Sequence, residues 1–283
     1  MYYPADICDA HFDLKRLHLC TLLIETDYHR LSYAVLDDRY QKIVLLKEVI
    51  SSGTIPLNQN EITAAINEDT VFNARFSKFV VSLVTEKFVL VPAAFFDENK
   101  VSEIFTLNNV LDEGESLKVF PLKMPLSYLI YATSSANEFI STGKFLNANF
   151  IPHVAVLIQT CMQRFRYKQN PVITIHCRVK AFEMIIVSEN KLQLCNTYKY
   201  ENSEDFIYYI LFACEQLSLN PETTETYLSG EVAIDSVEDV MLKKYMRNIS
   251  FLSKTLNHGF SNEFNQIQPH RFTTLFDLTL CES

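Results

Sequence analysis

Two stretches of this chain spell the same local plan. "LCTLLIETDYHRLSYAVLDDRYQKIVLLKEV" begins at Leu19 and "VITIHCRVKAFEMIIVSENKLQLCNTYKY" begins at Val172. Each reads as three adjacent β-strands joined by tight polar turns, followed by a polar turn and a helix. Period-two alternation is visible where Leu31, Tyr33 and Val35 interleave with Arg30, Ser32 and Ala34. The two copies start about 150 residues apart and share negligible identity, so the repeat is one of architecture. A duplicated βββα unit implies an α/β protein of two like domains around a cleft, here 1–165 and 166–283.

Between and after these blocks the pattern is also readable. Residues 57–67 suggest a helix with Asn58 or Asn60 near its start. "FSKFVVSLVTEKFVLVPAAFF" reads as two strands joined at Thr85–Lys87, followed by a short helix near 97–107 and a strand near 116–122. Pro152 fits a first helical position, ahead of Val154, Leu157, Ile158, Cys161 and Phe165 on one helical face. "RFRYKQN" (164–170) suits that helix's C-terminal turn, where cations complement the dipole. Ser203 is expected to cap a long helix that stops at Asn220-Pro221, and Ser236 with Asp239 to open another. Tyr208, Tyr209 and Phe212 widen the apolar stripe of the first of these, which places them in the core or at an interface, the core being the simpler reading. The tail "RFTTLFDLTLC" reads as a closing strand.

Composition excludes several functions. Only 5 glycines occur in 283 residues, against about 20 at ordinary usage. They are Gly53, Gly114, Gly143, Gly230 and Gly259, and no two are close, so neither G-x-G-x-x-G nor a P-loop can be formed. The net charge of −9 argues against nucleic acid, whose affinity rests on a basic footprint. Seven scattered cysteines without a C-x-x-C suggest buried free thiols in a reducing cytoplasm. No run is long and apolar enough for direct membrane insertion. Cys8, Asp9, His11 and Asp13 match no standard metal spacing and fit a disordered or edge terminus, so no metal is expected. His176 and Cys177 point to opposite faces of a strand and form no catalytic pair. Asp37-Asp38 suits a hairpin turn, and Glu201, Glu204 and Asp205 suit a helix start. No catalytic residue is expected.

The segments "LQLCNTYKYENSEDFIYYILFACEQLSLN", "YLSGEVAIDS", "LKKYMRNISF", "VSLVTEKFVLVPAAFFDE" and "HRFTTLFDLTLCES" resemble a bacterial domain of unknown function over nearly the whole chain. That family resembles the actin-like ATPase superfamily, with its ribonuclease H-like duplicated βββαβα fold, and within it the pilus-assembly protein PilM and the cell-division protein FtsA.

The resemblance implies where a nucleotide site would lie. Actin-like ATPases place D-x-G-type hairpins at the first turn of each half, where amides hold phosphate and the acid positions magnesium. Here Ile24-Glu25-Thr26-Asp27 stands in the first, with Glu25 for the aspartate and Asp27 for the glycine. Ile175-His176-Cys177-Arg178 stands in the second, without glycine. The paired glycine beside the purine is reduced to Leu228-Ser229-Gly230-Glu231. His176 and Arg178 could still meet an anion by side chain. The simpler reading makes His176 a satisfied core or rim residue among Val172, Ile175 and Phe182, and Gly230 a turn needing positive φ. The expectation is a cytoplasmic, non-catalytic actin-like protein without cofactor, which acts on an unknown protein partner or as a homodimer. The alternative is a nucleotide-dependent enzyme, an ATPase or small-molecule kinase, with ATP and magnesium held unconventionally in the inter-domain cleft by Glu25, Asp27, His176, Arg178, Gly230 and Glu231.

Overall fold

The computed structural model describes residues 5–27, 29–50, 59–134, 145, 147–253 and 257–282. Two compact units emerge. The first comprises Met1–Val156, Asn257–Ile267 and Thr274–Ser283, and the second Leu157–Leu256 and Gln268–Thr273. The chain therefore returns twice to the first unit after completing most of the second.

The first unit begins with a short strand β1 (Asp6–Cys8) and a 3-10 turn (Leu14–Leu19). The strands β2 (Cys20–Thr26), β3 (Arg30–Asp37) and β4 (Lys42–Ile50) come next, then helix α1 (Gln59–Glu68) and β5 (Lys78–Leu83). An inserted layer holds β6 (Phe88–Pro92), α2 (Val101–Thr106), β7 (Glu115–Leu122) and β8 (Ser127–Ser134), before β9 (Asn149–Pro152); helix α3 (His153–Arg164) then starts in the first unit and passes into the second at Leu157. Its main sheet runs β1-β4-β3-β2-β5-β9, and the insertion forms its own sheet β6-β8-β7. Strands β2 and β3 are buried along their whole length. That burial on both faces explains their near-continuous apolar run. One face of β3, with Leu31, Tyr33 and Val35, packs with Ile62, Ile66 and Phe72. The insertion has a separate small core of Val91, Phe105, Ile130 and Ala132.

The second unit repeats the order: β10 (Val172–Arg178), β11 (Ala181–Ser188), β12 (Lys191–Lys199), α4 (Ser203–Gln216), β13 (Glu225–Gly230), α5 (Val237–Tyr245) and β14 (Ile249–Phe251). Its sheet runs β12-β11-β10-β13-β14. The pairing matches unit by unit. β2 lies antiparallel to β3 and parallel to β5, just as β10 lies antiparallel to β11 and parallel to β13. Even the irregularity recurs: the ladder shifts between Val35 and Leu36 in one copy and between Ile186 and Val187 in the other. The chain ends with β15 (Gly259–Phe260), a 3-10 turn (Pro269–Phe272), α6 (Thr273–Phe276) and a last 3-10 turn (Leu278–Cys281).

Local expectations were corrected in several places. The tail is helical, because the buried Phe272, Leu275 and Phe276 stand at i, i+3 and i+4 rather than alternating. Asn202, not Ser203, caps α4: its backbone is extended and its side chain accepts the Asp205 N–H at 2.9 Å. That helix stops at Gln216, ahead of Asn220-Pro221, where Ser218 turns to φ 53°. Pro152 closes β9, and α3 begins at His153. Tyr208 and Phe212 are 60% and 45% exposed, so they belong to the surface and not the core. Ser236 does cap α5, accepting the Asp239 N–H. The candidate cap Asn58 lies outside the described residues.

Candidate functional site

The register identifies equivalent positions in the two hairpins. Glu25 pairs with Ser32 and Ser82, and His176 pairs with Glu183 and Ser229. Glu25 and His176 are therefore counterparts, each with a serine across the parallel ladder.

In the first hairpin, Asp27 substitutes for the turn glycine with its own chemistry. Its carboxylate accepts the His29 N–H at 2.6 Å, and its own N–H donates to the Arg30 carbonyl at 3.0 Å. The amides of Asp27 and His29 are thus committed within the turn. Glu25 is buried and its Oε1 receives Arg30 Nη2 at 2.8 Å. The same guanidinium lies 3.7 Å from Glu48 Oε1, so two buried carboxylates share one cation. Burial pushes the Glu25 carboxyl above its ordinary range, with Arg30 opposing. The facing Ser82 hydroxyl has no hydrogen-bond partner among the described residues.

In the second hairpin, His176 Nδ1 lies 3.0 Å from the Ser229 hydroxyl and the imidazole is buried, as the core reading expected. Cys177 faces the opposite side, within the apolar core, and burial pushes its thiol well up. Arg178 turns back onto Glu183: Nε stands 3.1 Å from both carboxylate oxygens and Nη2 2.6 Å from Oε1. Thr197 adds a hydroxyl to Oε1 at 3.2 Å. Arg178 and Glu183 side chains are 8% and 0% exposed. The cation proposed to meet an anion is neutralised inside its own hairpin.

Gly230 has φ +78°, the left-handed conformation that glycine adopts at least cost. A Cβ there would stand 2.2 Å from the Cys177 carbonyl oxygen. The glycine serves strand packing: Glu231 N–H donates to that same carbonyl at 2.7 Å. The following residues are held by the C-terminal turn of the second unit. His270 Nε2 donates to the Val232 carbonyl at 2.8 Å, and Arg271 Nη2 lies 3.4 Å from Glu231 Oε2. Burial holds the His270 imidazole below its ordinary value, assisted by Arg271.

Of the six sequence candidates, Glu25 and Asp27 share the first hairpin, and His176, Arg178, Gly230 and Glu231 cluster at the ends of β10 and β13. Sequence reading missed their partners Arg30, Glu48, Glu183, Ser229, His270 and Arg271. Glu183 and Ser229 could have been found by writing out the register on either side of His176. His270 and Arg271 come from a segment about 40 residues further on, for which no local signal exists. Among the described residues no group of three or more His, Cys, Asp or Glu could hold a metal ion, and no helix is long and apolar enough to cross a membrane. Asp9 is used structurally, receiving the His11 N–H at 2.9 Å and Lys42 Nζ at 2.7 Å.

A duplicated βββαβα core with a hairpin at the head of each half defines the actin-like ATPase fold. Solved structures of that fold match the chain. A Bacteroides thetaiotaomicron VPI-5482 protein with actin-like ATPase fold and unknown function superposes with a TM-score of 0.80 at 18% identity, covering 95% of this chain and 99% of that one. The PilM-PilN type IV pilus biogenesis complex gives 0.60 at 11% identity, covering 92% of this chain and 97% of the matched one. At these identities the likeness carries the fold alone. The chain belongs to the family described as "Protein of unknown function (DUF3822)", whose model matches residues 9–249. No curated protein matches.

Proposed function

We propose that this actin-like protein is non-catalytic, resides in the cytoplasm and works by holding a protein partner. The observation that carries the reading is the internal pairing of both hairpins. Asp27 takes up the His29 amide in the first turn, and Arg178 is closed by Glu183 in the second. An incoming triphosphate would meet Glu25, Glu48 and Asp27 with their one nearby guanidinium already shared, and like charge repels it. The PilM neighbour, solved as a complex with PilN, supports a partner-binding role on this fold. Seven free thiols support a reducing compartment.

A thermal-shift panel of ATP, ADP, GTP and AMP with magnesium tests it. A ligand at 100 times its Kd stabilises the native state by about 2.7 kcal/mol, which such a scan detects readily. The expected result is no shift. A raised melting temperature with Mg-ATP, together with turnover lost in Glu25→Gln or Asp27→Asn, would overturn the reading in favour of a nucleotide-dependent enzyme.

A further inference from the structure

The two units treat one sheet edge differently. β4 and β12 are counterparts, each the third strand of its hairpin set and each carrying the same ladder shift. The outer edge of β4 is filled twice by the chain itself: β1 pairs antiparallel with Leu45–Lys47, and β15 pairs parallel with Lys42 and Ile43. The outer edge of β12 has no strand on it among the described residues. The shared register maps Leu45 onto Leu194, Val44 onto Gln193 and Lys42 onto Lys191.

From this we infer that the β12 edge is a strand-addition site for an extended acidic segment of a protein partner. The chemistry of the occupant follows from β1. Directly after β1, Asp9 binds Lys42 at 2.7 Å and donates its N–H to the Val44 carbonyl at 2.8 Å. Lys191 is the counterpart of Lys42, is exposed, and pairs with no carboxylate among the described residues. The partner segment therefore runs antiparallel opposite Asn196, Cys195 and Leu194, and its next residue is Asp or Glu, reaching Lys191. Main-chain pairing supplies affinity and the acid supplies register. Apolar anchorage is at hand on α4: Tyr198 of β12 packs on Tyr209 at 5.1 Å, and Tyr208 and Phe212 extend the aromatic row to the surface. A second copy is the wrong occupant. Antiparallel self-pairing centred on Cys195, the middle of Lys191–Lys199, opposes Lys191 with Lys199 at both ends, the like-charge arrangement that protects natural edges.

The inference rests on the partner-binding reading and narrows it to one edge. The test is display selection of random nine-residue peptides on the full chain, followed by affinity measurement on variants. Enriched peptides should share an alternating apolar core ending in Asp or Glu. Lys191→Glu, a surface change that leaves the melting temperature in place, should weaken them at least about tenfold and shift selection to Lys or Arg at that position. Cys195→Pro should abolish binding by removing an edge backbone donor. Peptides that bind both variants as well as the parent overturn the edge assignment while leaving partner binding intact. Failure to enrich any peptide overturns the edge assignment as well, and a dimer by light scattering that Cys195→Pro dissolves and Lys191→Glu tightens would assign the edge to a second copy. A positive Mg-ATP shift bears on the parent reading separately.

Discussion

Arg178 and Glu183 face each other across the turn of the second hairpin in a nearly dry, three-contact pair, with Nη2 only 2.6 Å from Oε1. The first hairpin also closes an ion pair, at other register positions and in the inverse order. The acid, Glu25, comes from the first strand and the guanidinium, Arg30, from the second. Both hairpins have thus replaced an external anion with an internal one.

Breaking either pair should cost more than the pair is worth. Arg178→Gln or Glu183→Gln strands a buried charge and should destabilise the protein by about 3–5 kcal/mol, whereas Arg178→Met with Glu183→Leu should be close to neutral. Urea denaturation of the three variants checks this, and equal losses in all three would contradict it.

Two glycines of positive φ should respond differently to alanine. At Gly114, φ is +82° and nothing stands within 4 Å, so only the conformational cost of about 1–2 kcal/mol applies. At Gly230 the new methyl meets the Cys177 carbonyl at 2.2 Å, so the β10–β13 ladder must shift. Gly230→Ala should cost at least ~2 kcal/mol more than Gly114→Ala in the same denaturation assay.

Stability should fall on mild acidification. Burial lowers both His258, whose Nε2 meets the Thr279 hydroxyl at 2.8 Å, and His270. The unfolded chain then binds protons more readily than the folded one below about pH 6.5. Each histidine's contribution is complete above that value and is lost as pH drops toward its folded pKa, with a slope of up to about 1.4 kcal/mol per pH unit. His258→Gln and His270→Gln should each flatten the curve, as read from melting temperature between pH 5 and 8.

Glu25 should act with the opposite sign. Its carboxyl is raised by burial, so the folded state holds a proton that the unfolded state releases above the ordinary glutamate range. Stability associated with this group is full at low pH and declines as pH rises through its folded pKa. Glu25→Gln should remove that decline while preserving shape, and an unchanged pH profile would argue against it.

Thiol labelling should be selective. Burial pushes Cys20 and Cys281 up to about 12 and Cys214 up to about 11, and it raises Cys177 and Cys195 as well. Cys8 is the exposed one. Iodoacetamide at pH 8 followed by mass spectrometry should modify Cys8 first and the others after denaturation.

How much of this was legible in the sequence depends on how local each cause was. The three-strand blocks were readable because alternation and tight turns are written in neighbouring residues. The cap at Ser236 was read correctly for the same reason, while Asn202 was missed because Asn and Ser compete at adjacent positions and only backbone dihedrals separate them. The tail was misread because Phe276, Leu278 and Leu280 alternate with Asp277 and Thr279, while Phe272, Leu275 and Phe276 also lie on one helical face. At the hairpins, the absent glycines were visible, but what took their place was not. Asp27 forms its turn by its own side chain, Glu25 is met from five residues away, and Arg271 reaches Glu231 from 40.

The closure of the β4 edge bears on synthesis. β1 precedes the other strands of its sheet in the chain, whereas β15 and Glu282, which pairs with Lys78 at 2.6 Å, follow the whole of the second unit's sheet. A nascent chain halted before residue 257 holds the first unit's sheet sealed on one stretch and open on Lys42 and Ile43, while the second unit already has its full five-stranded sheet. The N-terminal unit, begun first on the ribosome, is thus the later of the two to be completed, and truncation from the C-terminus should unsettle the beginning of the chain before its middle.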